Sequence, residues 1–127
     1  MVEKCLFCNK AKQKIIFSNN FFFIVRDSYP VTKHHTLIIP HRHISNFFDL
    51  NDKEFNNLYV VLKKERQSLI DLDQGITGFN VGVNAGIDAG QSIMHCHIHL
   101  IPRRKGDIQN PRGGVRGVIP SKQKYVK

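Results

Sequence analysis

His95, His97 and His99 stand two residues apart in the run His95-Cys96-His97-Ile98-His99-Leu100-Ile101. Two-residue steps rotate by about 200° around a helix, so the three imidazoles cannot share a helical face. In a β-strand they do, because side chains alternate with period two. The run therefore reads as a strand with three imidazoles on one face and Cys96, Ile98 and Leu100 buried on the other. Three histidines in register are hard to explain as packing. Two chemistries use such a row. It can bind a catalytic zinc that activates water. Alternatively, one neutral imidazole attacks phosphorus and forms a phosphoramidate that water resolves. The second needs a neighbour that fixes the tautomer and polar groups around the phosphate oxygens. Cys96 reads as core filler, since nothing on its apolar face would ionise it.

The remaining pattern predicts an α+β frame. Residues 14–17 and 21–25 read as a hairpin around Ser18-Asn19-Asn20, and 35–39 as a third strand stopped by Pro40. Asn51 and Glu54 have capping-box spacing. Phe55, Leu58, Tyr59, Leu62, Arg66 and Leu69 then recur at helical intervals, predicting a helix over 52–72 that ends before Gly75. A fourth strand is expected at 78–83 and a fifth at 93–101, closed by Pro102. The order β-β-β-α-β-β implies an antiparallel sheet of about five strands with one long helix packed on it. At 127 residues the chain fits one domain, 1–127, and 41% hydrophobic content with nine Phe excludes disorder. The longest apolar runs, 21–25 and 37–39, fall far short of the roughly 20 residues a bilayer needs. No apolar stretch follows Met1, so a cytoplasmic location is expected.

Three further features bear on chemistry. The net charge is +9, and residues 103–127 hold eight Lys and Arg against Asp107 alone. This basic, irregular extension favours polyanionic ligands. Its only aromatic is Tyr125, a poor platform for stacked bases, so a zinc-stabilised nucleic-acid-binding module is the lesser reading. Cys5-Leu6-Phe7-Cys8 reads as a metal half-site or a redox pair, with no thioredoxin-like unit behind it. The loop before the fifth strand carries Asn84, Gly86, Gly90, Gln91 and Ser92. It lacks the lysine of a Walker A loop, but could supply polar groups to a phosphate.

The triad run matches the His-φ-His-φ-His-φ-φ signature of the histidine triad (HIT) family, and the chain resembles that family over roughly residues 5–105. Residues 26–30, 39–50 and 84–92 share the likeness; Cys96 stands where an aliphatic residue is commoner. The tail at 110–117 looks like that of bacterial, zinc-containing members of the dinucleoside polyphosphate (diadenosine tetraphosphate) hydrolase type. The resemblance implies an enzyme, usually a homodimer, acting on nucleotides at the α-phosphate. It implies His97 as nucleophile, His99 against the phosphate and leaving group, Gln91 and Ser92 on phosphate oxygens, and Asn84 beside them. Asp27 would take the ribose hydroxyls, and Leu6, Phe7, Phe23 and Val25 the base. In zinc-bearing members a cysteine pair joins two histidines, which points to a structural zinc on Cys5, Cys8, His43 and His95, with His41 in reserve. Phosphorylase, nucleotidyltransferase and phosphoramidase activities fit the same signature.

Overall fold

Among residues 5–125, which the computed structural model describes, the chain forms five strands and one α-helix. These are β1 (Phe17–Ser18), β2 (Phe22–Arg26), β3 (Thr36–Pro40), α1 (Asp52–Leu72), β4 (Ile76–Gly82) and β5 (Ile98–Arg104). The strands make a single antiparallel sheet in the order β1-β2-β3-β5-β4. This is the α+β architecture expected from the sequence. No helix among the described residues is long and apolar enough to cross a membrane.

β1 is shorter than the 14–17 expectation. Its ladder pairs with β2 are Phe17 and Ser18, Ile16 adds one N–H bond to the Ile24 carbonyl at 2.9 Å, and Ile15 and Ile16 remain partly exposed. Asn19 turns the hairpin by accepting the backbone N–H groups of Phe21 and Phe22 at 2.8 and 2.9 Å. Its partner strand and β3 are buried on both faces. Phe22, Ile24, Ile38 and Ile98 pack beneath α1 with Leu58, Val61 and Cys96. On the opposite face, Phe7 of the N-terminal segment covers Phe23, Val25, Leu37 and Ile39. That segment is thus a third layer, and it brings Cys5 and Cys8 over the sheet.

α1 begins at the predicted capping box. Asn51 Oδ1 accepts the Glu54 N–H at 2.8 Å, and Glu54 Oε1 accepts the Asn51 N–H at 2.9 Å. The buried face differs from the apolar stripe read in the sequence. Glu54, Leu58, Val61, Glu65 and Leu69 point inward, while Phe55, Tyr59 and Arg66 face out. Two ion pairs explain the rotation. Arg26 of β2 donates to Glu65 at 2.6 Å, and Arg42 donates to Glu54 at 2.8 Å, so both carboxylates enter the interior paired.

β5 also departs from expectation, starting at Ile98 rather than 93 and running through Pro102 to Arg104. The ladder pairs Thr36 with Leu100 and Ile38 with Ile98, so its next rung would set Cys96 against Pro40. Proline has no N–H to give, and the ladder stops. The Cys96 N–H instead reaches the Ile44 carbonyl at 2.7 Å. Pro102 interrupts nothing, because beyond Leu100 the strand has β4 as its only partner. The tail is less irregular than expected, with 3-10 turns at Gly114–Val118 and Pro120–Lys122.

Leu69 is fully buried between α1 and the β4–β5 end of the sheet, against Ile76 and Leu100. Leu69→Ala should lower the unfolding free energy by about 2–5 kcal/mol. Urea denaturation should show this as a lower midpoint with an unchanged slope.

Candidate functional site

The main chain sorts the three histidines. His95 lies fully buried, and its Nε2–H donates to the Pro40 carbonyl at 2.8 Å. A carbonyl only accepts, so Nδ1 of the neutral ring keeps its lone pair. That lone pair faces Cys5 Sγ at 3.3 Å, Cys8 Sγ at 3.5 Å and His43 Nδ1 at 3.1 Å. Cys8 Sγ is 3.1 Å from His43 Nδ1, and the four ligand atoms all lie within 4.8 Å of one another. Tetrahedral bonds of about 2.0–2.3 Å put donors roughly 3.3–3.8 Å apart, so the four residues could hold one metal ion. The Pro40 carbonyl is the kind of outer partner that orients a ligating imidazole. His41 is turned away, its Nε2 against the Asn19 carbonyl at 2.8 Å.

His97 makes the opposite choice of nitrogen. Its Nδ1–H donates to the His95 carbonyl at 2.8 Å, which leaves the Nε2 lone pair for the cleft it lines. His99, 5.2 Å away between ring centroids, is oriented by a residue the sequence analysis passed over. The Val31 N–H donates to His35 Nδ1 at 3.0 Å. The His35 proton therefore sits on Nε2, which donates to His99 Nδ1 at 2.9 Å. His99 is left with Nε2–H as a donor. Asp27, His35 and His99 also group their polar atoms closely, but both nitrogens of His35 are engaged in this relay. Burial pushes the His99 ring down to about 4 and lowers His35 as well. Burial likewise raises the Cys96 thiol to about 12, consistent with an inert core position.

The cleft has a volume of about 430 Å³ and gathers most of the expected residues. Leu6, Phe7, Val25, Asp27, Asn84, Ser92, His97 and His99 all line it, with Leu6 half-exposed at its lip. Asp27 holds the Tyr29 N–H on Oδ1 at 2.9 Å. Two expected residues do not line it. Phe23 is wholly buried under Phe7. Gln91 is buried inside its own loop, where Oε1 accepts the Gly86 N–H at 2.9 Å and Nε2 donates to Ser45 and Ile93 carbonyls at 2.7 and 3.1 Å. Its amide shapes the loop and does not face the cleft. Lys12 lines the cleft as an unexpected cation.

The HIT domain pattern matches residues 9–106, and the chain belongs to that family. It is 38% identical over 100 residues to a nitrilase and fragile histidine triad fusion protein of Caenorhabditis elegans, covering 79% of this chain and 22% of that protein. An asymmetrical bis(5'-nucleosyl)-tetraphosphatase of Schizosaccharomyces pombe is 36% identical over 79 residues, 62% of this chain and 43% of the other. The chain thus spans less than half the length of these two relatives. Among solved structures, a zinc-bound histidine triad family protein from Mycobacterium smegmatis superposes with a TM-score of 0.77 at 27% identity, covering 87% and 82% of the two chains.

The depressed His99 has a consequence for stability. A histidine that resists protonation in the fold, but not in the unfolded chain, makes the unfolded state bind more protons between about pH 6.5 and 4. Stability should therefore fall as pH drops through that window. His99→Asn should give a shallower acid limb in urea unfolding followed from pH 7 to 4, and an unchanged limb would contradict the assignment.

Proposed function

We propose that the chain is a nucleotide hydrolase that cleaves dinucleoside polyphosphates or nucleotide conjugates at the α-phosphate. The observation that carries this reading is the orientation of His97, whose Nε2 lone pair is left for the cleft by the hydrogen bond from Nδ1 to the His95 carbonyl. Nε2 attacks the α-phosphorus, a P–N bond forms and the P–O bond to the leaving group breaks. The His95 carbonyl stabilises the positive charge that develops on the ring. His99, neutral at physiological pH, holds the departing oxygen with its Nε2–H. Water then attacks phosphorus, the P–N bond breaks, and a nucleoside monophosphate leaves with the proton released to solvent. Asp27 takes the ribose hydroxyls, Asn84 and Ser92 hold phosphate oxygens, and Leu6, Phe7 and Val25 flank the base.

The Cys5, Cys8, His43 and His95 cluster suits a structural zinc, closed by four protein ligands. When bound, that zinc supplies cross-linking rather than chemistry, since it joins the N-terminal layer to the triad. The family's homodimeric habit has support in an apolar groove of about 490 Å³ between α1 and β4, beside the exposed rings of Phe55 and Tyr59. The three free cysteines suit a reducing compartment, and we place the protein in the cytoplasm.

Three variants test the division of labour. His97→Ala should lower turnover by several orders of magnitude, while zinc content and melting temperature stay near wild type. His95→Ala and Cys8→Ser should lose zinc and melting temperature together, because structural metal binding is folding free energy. Loss of zinc on His97→Ala would overturn the assignment. Products identified with and without inorganic phosphate separate hydrolysis from phosphorolysis; a nucleoside diphosphate formed only with phosphate would contradict the hydrolase reading.

A further inference from the structure

His99 stands at the junction of two recesses. Val31, His35, Asn84 and His99 line both the cleft described above and a second hollow of about 530 Å³. The second hollow plays no part in the reaction as proposed. Its walls are Ile101 of β5, Val31 and the tail turn with Val115 and Val118, and at the β4 edge it shares Val81 and Val83 with the α1–β4 groove. The two tail valines are 62% and 77% exposed, although both stand at the hollow. Its volume falls in the range of small-ligand sites, about 300–1,000 Å³.

The tail holds a defined shape at this position. Gly113 has φ +93°, and a Cβ there would overlap the Gln123 carbonyl. Gln123 Nε2 donates back to the Arg112 carbonyl at 3.3 Å. The guanidinium groups of Arg112 and Arg116 stand 5.5 and 4.8 Å from the centroid of Tyr125. The chain between 112 and 125 is thus folded onto itself, with Val115 and Val118 among the residues that line the hollow.

We propose that this second recess receives the leaving nucleoside of a dinucleoside polyphosphate, with Val115 and Val118 as specificity-determining contacts. The inference rests on the hydrolase reading above. In that reaction the leaving group departs past His99, and the recess opens at His99. The apolar walls suit the faces of a base, and Arg103 adds a cation among the residues that line the recess. A small leaving group ends at His99 and never reaches the tail. Dependence on the tail should therefore follow the size of the leaving group.

The test compares kcat and KM of the zinc-loaded protein on two substrates, diadenosine tetraphosphate and adenosine 5'-phosphoramidate, whose leaving group is only ammonia. Val118→Asp and Gly113→Val alter the tail without touching a residue of the reaction. Each should lower kcat/KM for the dinucleotide at least tenfold, mainly through KM, and leave the phosphoramidate within twofold. Equal losses on both substrates, or no loss on either, would overturn the proposal. A wild-type protein that cleaves the phosphoramidate alone overturns this inference and leaves phosphoramidase chemistry standing. One that cleaves neither overturns the hydrolase reading, and this inference falls with it. A change of mass by light scattering in Val118→Asp would assign the recess to a second copy of the chain, and also overturns it.

Discussion

The hydrogen bond from His95 Nε2 to the Pro40 carbonyl organises both halves of the site. It commits the ring proton of His95 to the sheet and turns the Nδ1 lone pair toward Cys5, Cys8 and His43. The backbone carbonyl of the same residue then takes the Nδ1 proton of His97. One histidine thus faces a ligand cluster through Nδ1, and the next is left with Nε2 for the cleft. Both effects depend on β3 ending at a proline. Pro40 interrupts the ladder opposite Cys96, and its carbonyl takes a side chain as partner.

The third layer follows from the same arrangement. The N-terminal segment buries Phe7 against β2 and β3, and its ring stands 5.1 Å from that of His97. Cys5 and Cys8 on this segment meet His43 and His95, and the His95 ring stands 6.0 Å from that of Phe7. A metal there would fasten the layer that forms the cleft's apolar wall, so metal loss and cleft disorder would be one event. Across the cleft, the relay from Val31 through His35 keeps His99 in a single tautomer without charging it. Burial then keeps the His99 imidazole in its neutral form.

Much of this was legible in the residues. The period of two in the triad separated buried Cys96, Ile98 and Leu100 from the histidines. Asn51 and Glu54 marked the start of α1 to the residue, because a capping box is a local device. What escaped the sequence was non-local. Glu54 and Glu65 face inward only because Arg42 and Arg26 reach them from other segments, so an apolar stripe misplaces the helix face. The early end of the β3–β5 ladder depends on which residue of the triad run falls opposite Pro40, a matter of register. The resemblance gave Gln91 to phosphate oxygens, but its side chain bonds Gly86 and Ile93 within its own loop and ties that loop to Ser45, 46 residues away. His35 carried one usable signal: it opens the strand expected at 35–39, where a strand-end histidine can meet another strand's histidine.

The central claim is that the main chain fixes the tautomer of each triad histidine, through carbonyls at His95 and His97 and through the Val31–His35 relay at His99. Long-range proton–nitrogen correlation of histidine-labelled, zinc-loaded protein at neutral pH reads this directly. The account predicts His95 protonated on Nε2 with Nδ1 shifted by metal, His97 protonated on Nδ1, and His99 protonated on Nε2. His97 protonated on Nε2, or carrying the metal-shifted nitrogen itself, would contradict it.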